Sequence, residues 1–427
     1  MINLGGPNLT KIKKITSQFI EMDEITSFSI MGDPGCDGLG AEILSVYEKA
    51  LDGSQGQFSV VIGDLVPEGE ERFYAQTNKL IEQTAKAPVY MMRGNHDTGE
   101  YEKKYGPADY AIFDSRLLLV MLDDSKRCFA EKSLEVLRRA LNEYARDHVV
   151  IMMHIPPPND RCGNHVSPEE WKKVKEIIDA SPCAGRVDCL IAGHVHSYFE
   201  TETDGMSLVV TGGAGARPEE VETVAVMPPN HYVEFRFDGS VLTHERVDIS
   251  AAVRPMENGR LRGMISGAFA GECMTYVRYL IYSREAAEKG MKNLAEMFAA
   301  FAEAEFIHAE NLYAVSGRMG SLEEAVSESL ENELAESREI YPASAAYAAE
   351  SGEGLAEAAF DDAAKAEEKH AEILAAAKVA LQEGSADIAA ETYYTCVSCG
   401  KTMTGPDKPK RCPVCGAPAD RIIPLSF

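Results

Sequence analysis

Three sets of residues in this 427-residue chain have the types and spacing of metal ligands. Near the end, Cys396-Val397-Ser398-Cys399 and Cys412-Pro413-Val414-Cys415 are separated by twelve residues. Four thiolates so spaced make a tetrahedral sulfur site, for zinc or for iron. Gly400 and Gly416 close the two knuckles, and glycine lets backbone amides turn toward sulfur. Upstream lie two Glu-x-x-His units, Glu305/His308 and Glu367/His370. Residues i and i+3 share a helix face, so each pair can meet one metal cluster. Glu272 and the pair Glu333/Glu336 offer carboxylates from two further helical stretches. One Glu-x-x-His alone is more often a solvated helix face. Two of them, with carboxylates from two other helices, make a ligand set for two irons. The third set is spread over residues 30–200: Gly32-Asp33-Pro34-Gly35, Gly63-Asp64, Gly94-Asn95-His96-Asp97, His154 and Gly193-His194-Val195-His196. Two Asp, one Asn and three His among these suit a binuclear site for Mn, Fe, Zn or Mg.

Elements must bring these residues together. Each polar segment of the third set follows a β-like run: Ser27–Met31, Phe58–Gly63, Val89–Met92, Val149–Met153 and Val187–Ala192. Leu117–Leu122 and Ser207–Thr211 read the same way, with helical stretches at Glu131–Arg146 and Pro168–Ala180. This alternation predicts a layered α/β domain over residues 1–250. Its polar segments then fall at strand ends, where loops converge on ligands. Tyr232–Phe237 and Ser240–Val247 flank Asp238-Gly239, a hairpin signal. After Arg254-Pro255-Met256-Glu257-Asn258-Gly259 the chain turns rich in Ala, Glu and Met. Helices are expected over 263–284, 286–314, 321–350 and 354–382, an all-α four-helix bundle. Residues 392–427 hold Gly, Pro and Cys but little apolar material. They form a third domain that needs a metal staple to fold.

The five strand-end segments, in order over about residues 26–247, resemble the calcineurin-like metallophosphoesterase superfamily. The resemblance implies an α/β sandwich that hydrolyses a phosphate ester with two divalent metals, Mn, Fe or Zn. Asp33 and His196 would bind the first metal, Asp64 would bridge, and Asn95, His154 and His194 would bind the second. His96 would give a proton to the leaving oxygen, with Asp97 orienting it. The chain departs from the pattern at one point. The family's first motif is Asp-x-His, and the position of that ligand His is Gly35. Purple acid phosphatases also have Gly there but supply a Tyr three residues after the second Asp, where this chain has Pro67. The first site therefore lacks one protein ligand, which water, Cys36 or Asp37 would fill.

Ala268-Phe269-Ala270-Gly271-Glu272, Ala304-Glu305-Phe306-Ile307-His308-Ala309 and Ile340-Tyr341-Pro342 resemble rubrerythrin over residues 263–382. The resemblance implies a ferritin-like di-iron bundle with ligands Glu272, Glu305, His308, Glu333, Glu336, Glu367 and His370, and with Tyr279 and Tyr341 beside the cluster. It also implies reduction of hydrogen peroxide. Rubrerythrins carry a rubredoxin-like tail, so position assigns iron to Cys396, Cys399, Cys412 and Cys415, in a module that relays single electrons. No dinucleotide fingerprint or P-loop is present, so an external reductase must supply them. A homodimer is expected by the same resemblance.

A net charge of −26 argues against nucleic-acid or anionic-membrane partners. No apolar run is long enough for a transmembrane helix, and residues 1–31 do not read as a signal peptide, so a cytoplasmic setting is expected. The reading is thus a bifunctional hydrolase and oxidoreductase in three domains. The alternative is a purely redox peroxide reductase or ferroxidase whose first domain is degenerate or regulatory, motivated by Gly35.

Overall fold

The computed structural model describes residues 10–221, 229–249, 258–316, 321–385, 387–388 and 392–425. Of the expected boundary segment 254–259, residues 254–257 lie outside them. The chain forms two compact units. The first holds two sheets and two long helices; the second holds the remaining long helices and the cysteine module.

One sheet has seven strands in the order β1-β5-β6-β7-β8-β10-β9. They are β1 (Phe19–Glu21), β5 (Tyr110–Phe113), β6 (Leu117–Met121), β7 (His148–Met152), β8 (Val187–Ala192), β9 (Tyr198–Thr203) and β10 (Met206–Thr211). The other runs β12-β11-β2-β3-β4, from β2 (Ser27–Met31), β3 (Ser59–Val61), β4 (Val89–Met91), β11 (His231–Phe237) and β12 (Leu242–Asp248). Ile30, Val60 and Ile62 meet Leu119, Val150 and Ile191 between the sheets. On the outer face of the five-stranded sheet pack α1 (Ala41–Gly53), α2 (Glu71–Thr84) and α3 (Tyr101–Tyr105). The outer face of the other is covered by α4 (Glu131–Glu143) and α5 (Pro168–Asp179). Central strands are therefore buried on both faces, which is why they read as unbroken apolar runs. The strands β1, β5 and β9 were not expected. β9 is a polar edge strand with the sequence YFETET, and short segments of this kind carry little periodic signal.

In the same unit α6 (Gly259–Glu288) and α7 (Lys292–Val315) form a hairpin turning at Gly290, whose φ is 72°. The buried residues of α7 are all alanines, so the two helices approach closely. Met274, Val277, Phe306 and Ile307 remain exposed.

The second unit holds α8 (Leu322–Ala335), α9 (Tyr341–Glu350) and α10 (Gly354–Gln382). Ser321 starts α8 with a capping box to Glu324. The single helix expected over 321–350 is interrupted by a π turn at Glu336–Ile340. Pro342 explains it: proline has no N–H for the Arg338 carbonyl and its ring crowds the preceding turn, so the helix widens. The Tyr341 amide bonds the Glu336 carbonyl instead. At the C-terminus β13 (Tyr393–Cys396), β14 (Thr402–Thr404) and β15 (Ile422–Leu425) make a small sheet in the order β14-β13-β15. Tyr394, Met403 and Ile422 pack with Cys396 and Cys412 as its core. No helix among the described residues is long and apolar enough to cross a membrane.

Candidate metal centres

The strand ends of the first unit bring all six expected ligand residues to one place. Asp33 follows β2, Asp64 follows β3, Asn95 follows β4, His154 follows β7, and His194 and His196 follow β8. Asp33, Asp64 and His194 adopt left-handed backbone, at φ 55°, 55° and 66°. Such residues cost about 1–3 kcal/mol each and collect at functional sites. Two clusters result. Asp64, His154 and His194 form one; Asp33, His196 and Cys36 form the other, each with ligand atoms within 4.8 Å of one another. His154 Nε2 lies 3.2 Å from Asp64 Oδ2 and 3.1 Å from Asn95 Oδ1. Its Nδ1 faces the Ile62 carbonyl at 2.9 Å, which fixes the ring with Nε2 inward. Gly94 is obligatory beside this group, because a Cβ there would stand 2.2 Å from Asp64 Oδ1.

The electrostatics call for cations. Asp33 is fully buried, and burial together with Asp64 and Asp97 pushes its carboxyl well above the usual range despite His154. Burial, then Asp64, raises Asp97 to about 7. Burial disfavours a charge on His154, yet Asp64 and Asp33 outweigh that and raise it to about 10. Burial and the neighbouring His154 depress His194 to about 3. An excess of buried carboxylates with imidazoles aimed among them fits bound divalent metal.

His96 stands over this site. Its amide donates to Asp64 Oδ1 at 2.9 Å, and its Nδ1 lies 2.9 Å from the Pro67 carbonyl. Asp97 Oδ2 accepts from the Gly94 amide at 2.9 Å, holding the loop rather than contacting the His96 ring. Two further residues were not anticipated. Asp124 is buried and accepts from the amides of His154 and Ile155, at 3.0 and 2.9 Å. Arg127, itself at φ 59°, reaches His194 Nε2 at 2.8 Å and Asn164 Oδ1 at 2.8 Å. Both lie in the loop after β6, whose own sequence carries no motif.

The helices hold two more clusters. In the first unit Glu272 of α6 joins Glu305 and His308 of α7. His308 Nδ1 is 3.0 Å from Glu305 and 3.9 Å from Glu272. A hydrogen bond to Glu305 raises the Glu272 carboxyl. In the second unit Glu333 joins Glu367 and His370. His370 Nδ1 is 2.6 Å from Glu367 and 3.5 Å from Glu333. Burial, then Glu367, pushes Glu333 up to about 7. Paired carboxylates beside an imidazole suit iron in either oxidation state. Glu336 opens the π turn, and Tyr341 lies beside it, its hydroxyl raised by burial, then by Glu336 and Glu367. Tyr279 packs on Phe298 and Phe301, with centroids 5.8 and 5.7 Å away.

The four sulfurs of Cys396, Cys399, Cys412 and Cys415 lie within 4.8 Å of one another. Burial works against ionising Cys396, but the amides of Ser398 and Cys399 turn toward it and bring it down to about 7. This tetrahedral set fits one metal ion. The module also touches the helical cluster: Thr402 Oγ1 lies 2.8 Å from His370 Nε2.

Comparison with known proteins agrees with this geometry. Residues 264–378 match the rubrerythrin family and residues 26–198 match the calcineurin-like phosphoesterase family. Rubrerythrin-2 of Clostridium acetobutylicum is 31% identical over 181 residues, 39% of this chain and 97% of that protein. The chain belongs to the rubrerythrin family. Rubrerythrin of Porphyromonas gingivalis is 29% identical over 172 residues, 37% of this chain and 86% of its own length. Among solved structures, purple acid phosphatase PPD1 from yellow lupin covers 53% of this chain and 52% of its own, at 15% identity and a TM-score of 0.41. The chain is thus a fusion, with a domain that matches the calcineurin-like phosphoesterase family ahead of the helical region and the cysteine module.

Proposed function

We propose that the chain is a bifunctional enzyme, hydrolysing a phosphate ester in its first domain and reducing hydrogen peroxide in its rubrerythrin part. The observation that carries the first half is the convergence of six ligand side chains from five strand ends, three of them on strained backbone. Asp33 and His196 would hold the first metal, Asp64 both, and Asn95, His154 and His194 the second. Two divalent metals held there would neutralise phosphoryl oxygens and lower the pKa of a bound water. His96 supplies the proton. A carbonyl only accepts, so Nδ1 keeps its hydrogen toward Pro67 and Nε2 is the nitrogen that gives and regains the mobile proton. Arg127, freed from His194, offers a cation to the phosphate.

For the second half the support is the two Glu and Glu-x-x-His clusters, one in each unit, together with a four-thiolate site in the second unit. Iron held there would supply the electrons for reducing peroxide to water, and iron in the four-cysteine site would relay electrons from an external reductase. Glu272, Glu305, His308, Glu333, Glu336, Glu367 and His370 would hold the pair, with Tyr341 beside Glu336.

The likeness of residues 264–378 to rubrerythrin supports a homodimer.

The test is metal analysis of anaerobically purified protein, with spectra before and after one equivalent of peroxide and an aryl phosphodiester assay. Three irons and two further metals per chain, peroxide-driven changes in the Fe(Cys)4 colour and hydrolysis are expected. Zinc in the cysteine site would remove the electron relay, and a metal-loaded first domain without hydrolysis would remove the phosphoesterase.

A further inference from the structure

The first metal position has one protein ligand too few, and the loop after β2 indicates where the third comes from. Position 35 cannot supply it. A Cβ on Gly35 would stand 2.1 Å from the Leu65 carbonyl oxygen, so no side chain fits there on this backbone. The tight approach is fixed by the Gly35 amide, which donates to the Asp64 carbonyl at 3.0 Å. It turns the next residue inward. Cys36 is buried, and its Sγ lies 3.2 Å from His196 Nε2. The same nitrogen faces Asp33 Oδ1 at 3.8 Å. Sulfur, imidazole nitrogen and carboxylate oxygen thus converge within 4.8 Å of one another.

Asp37 does not compete. Its Oδ2 accepts from the Arg217 amide at 2.8 Å and faces the other ring nitrogen of His196, Nδ1, at 4.0 Å. Glu219 sits on that side as well, at 3.4 Å. Asp37 and Glu219 therefore orient His196 from behind, as outer carboxylates do for a metal-binding His, and leave Nε2 pointing at Asp33 and Cys36.

We propose that Cys36 is the third protein ligand of the first metal, which makes that position an Asp33–Cys36–His196 site. This rests on the phosphoesterase reading and changes its metal chemistry. A thiolate selects zinc or ferrous iron over manganese and magnesium, which prefer oxygen. It also answers the case for a degenerate domain, since the ligand missing at Gly35 is replaced by its neighbour.

The test uses the full chain with iron in its cysteine module and helical clusters and zinc added to the first domain alone. Zinc-edge X-ray absorption then reads only the phosphoesterase site. Two zinc ions per chain are expected, with one sulfur at about 2.3 Å from one of them, an average of half a sulfur per zinc. The C36S variant should lose that sulfur and bind the first zinc at least about tenfold more weakly, with its iron content unchanged. Two bound zinc ions with only nitrogen and oxygen neighbours in the unmodified protein overturn the role of Cys36 and leave the phosphoesterase reading standing. Failure to bind zinc, manganese or iron in the first domain overturns both.

Discussion

Replacing Thr402 by Val removes the hydroxyl that meets His370 Nε2 at 2.8 Å and keeps the branched shape of the side chain. Thr402 pairs with Thr395 in the small sheet through its backbone, which Val preserves. The loss is therefore one hydrogen bond to a ring whose other nitrogen faces Glu367 and Glu333. A neutral hydrogen bond contributes about 1 kcal/mol. The His370 side chain is 31% exposed, so water can reach the freed N–H and the cost stays near that figure. About 1 kcal/mol is about fivefold in an equilibrium constant. Iron bound with His370 should be held about fivefold more weakly in T402V, measured anaerobically against a competing chelator. The return of Fe(Cys)4 colour after peroxide should slow, because Thr402 is the contact between the cysteine module and that ligand. T402S restores the hydroxyl and should restore both. Values for T402V within twofold of the unmodified protein would refute the reasoning.

Other perturbations follow from the same geometry. H96N should bind metal normally and lose about 100-fold or more in hydrolysis of esters with poor leaving groups, and much less with good ones. An equal loss on both would remove His96 from proton transfer. P342A restores an amide at the π turn and should raise the thermal midpoint while weakening iron binding through Glu336 and Tyr341. Unchanged iron affinity would show that the turn has no bearing on the site.

Much of the site was legible because its ligands follow rules of local spacing. Glu305 and His308 must share a helix face whatever surrounds them, and two CxxC pairs must make a sulfur cage. The strand-end residues were legible because apolar runs mark buried strands, and polar residues just past them have few other uses. Less legible were elements whose residues look alike in several settings. β9 has alternating polar residues, and the break in 321–350 depends on how one proline is accommodated inside a helix.

The amino-acid sequence by itself determined which atoms are available: the carboxylates, imidazoles and thiols, their order, and the helices or strands that carry them. Tertiary structure decided which of two adjacent candidates, Cys36 or Asp37, faces His196 Nε2. It placed Arg127 and Asp124 at the first site and Thr402 against His370. These contacts join residues from 30 to 160 positions apart. Local propensity specifies only near neighbours, whereas these distances follow from how buried faces pack and how closely backbones such as Gly35 and Leu65 can approach.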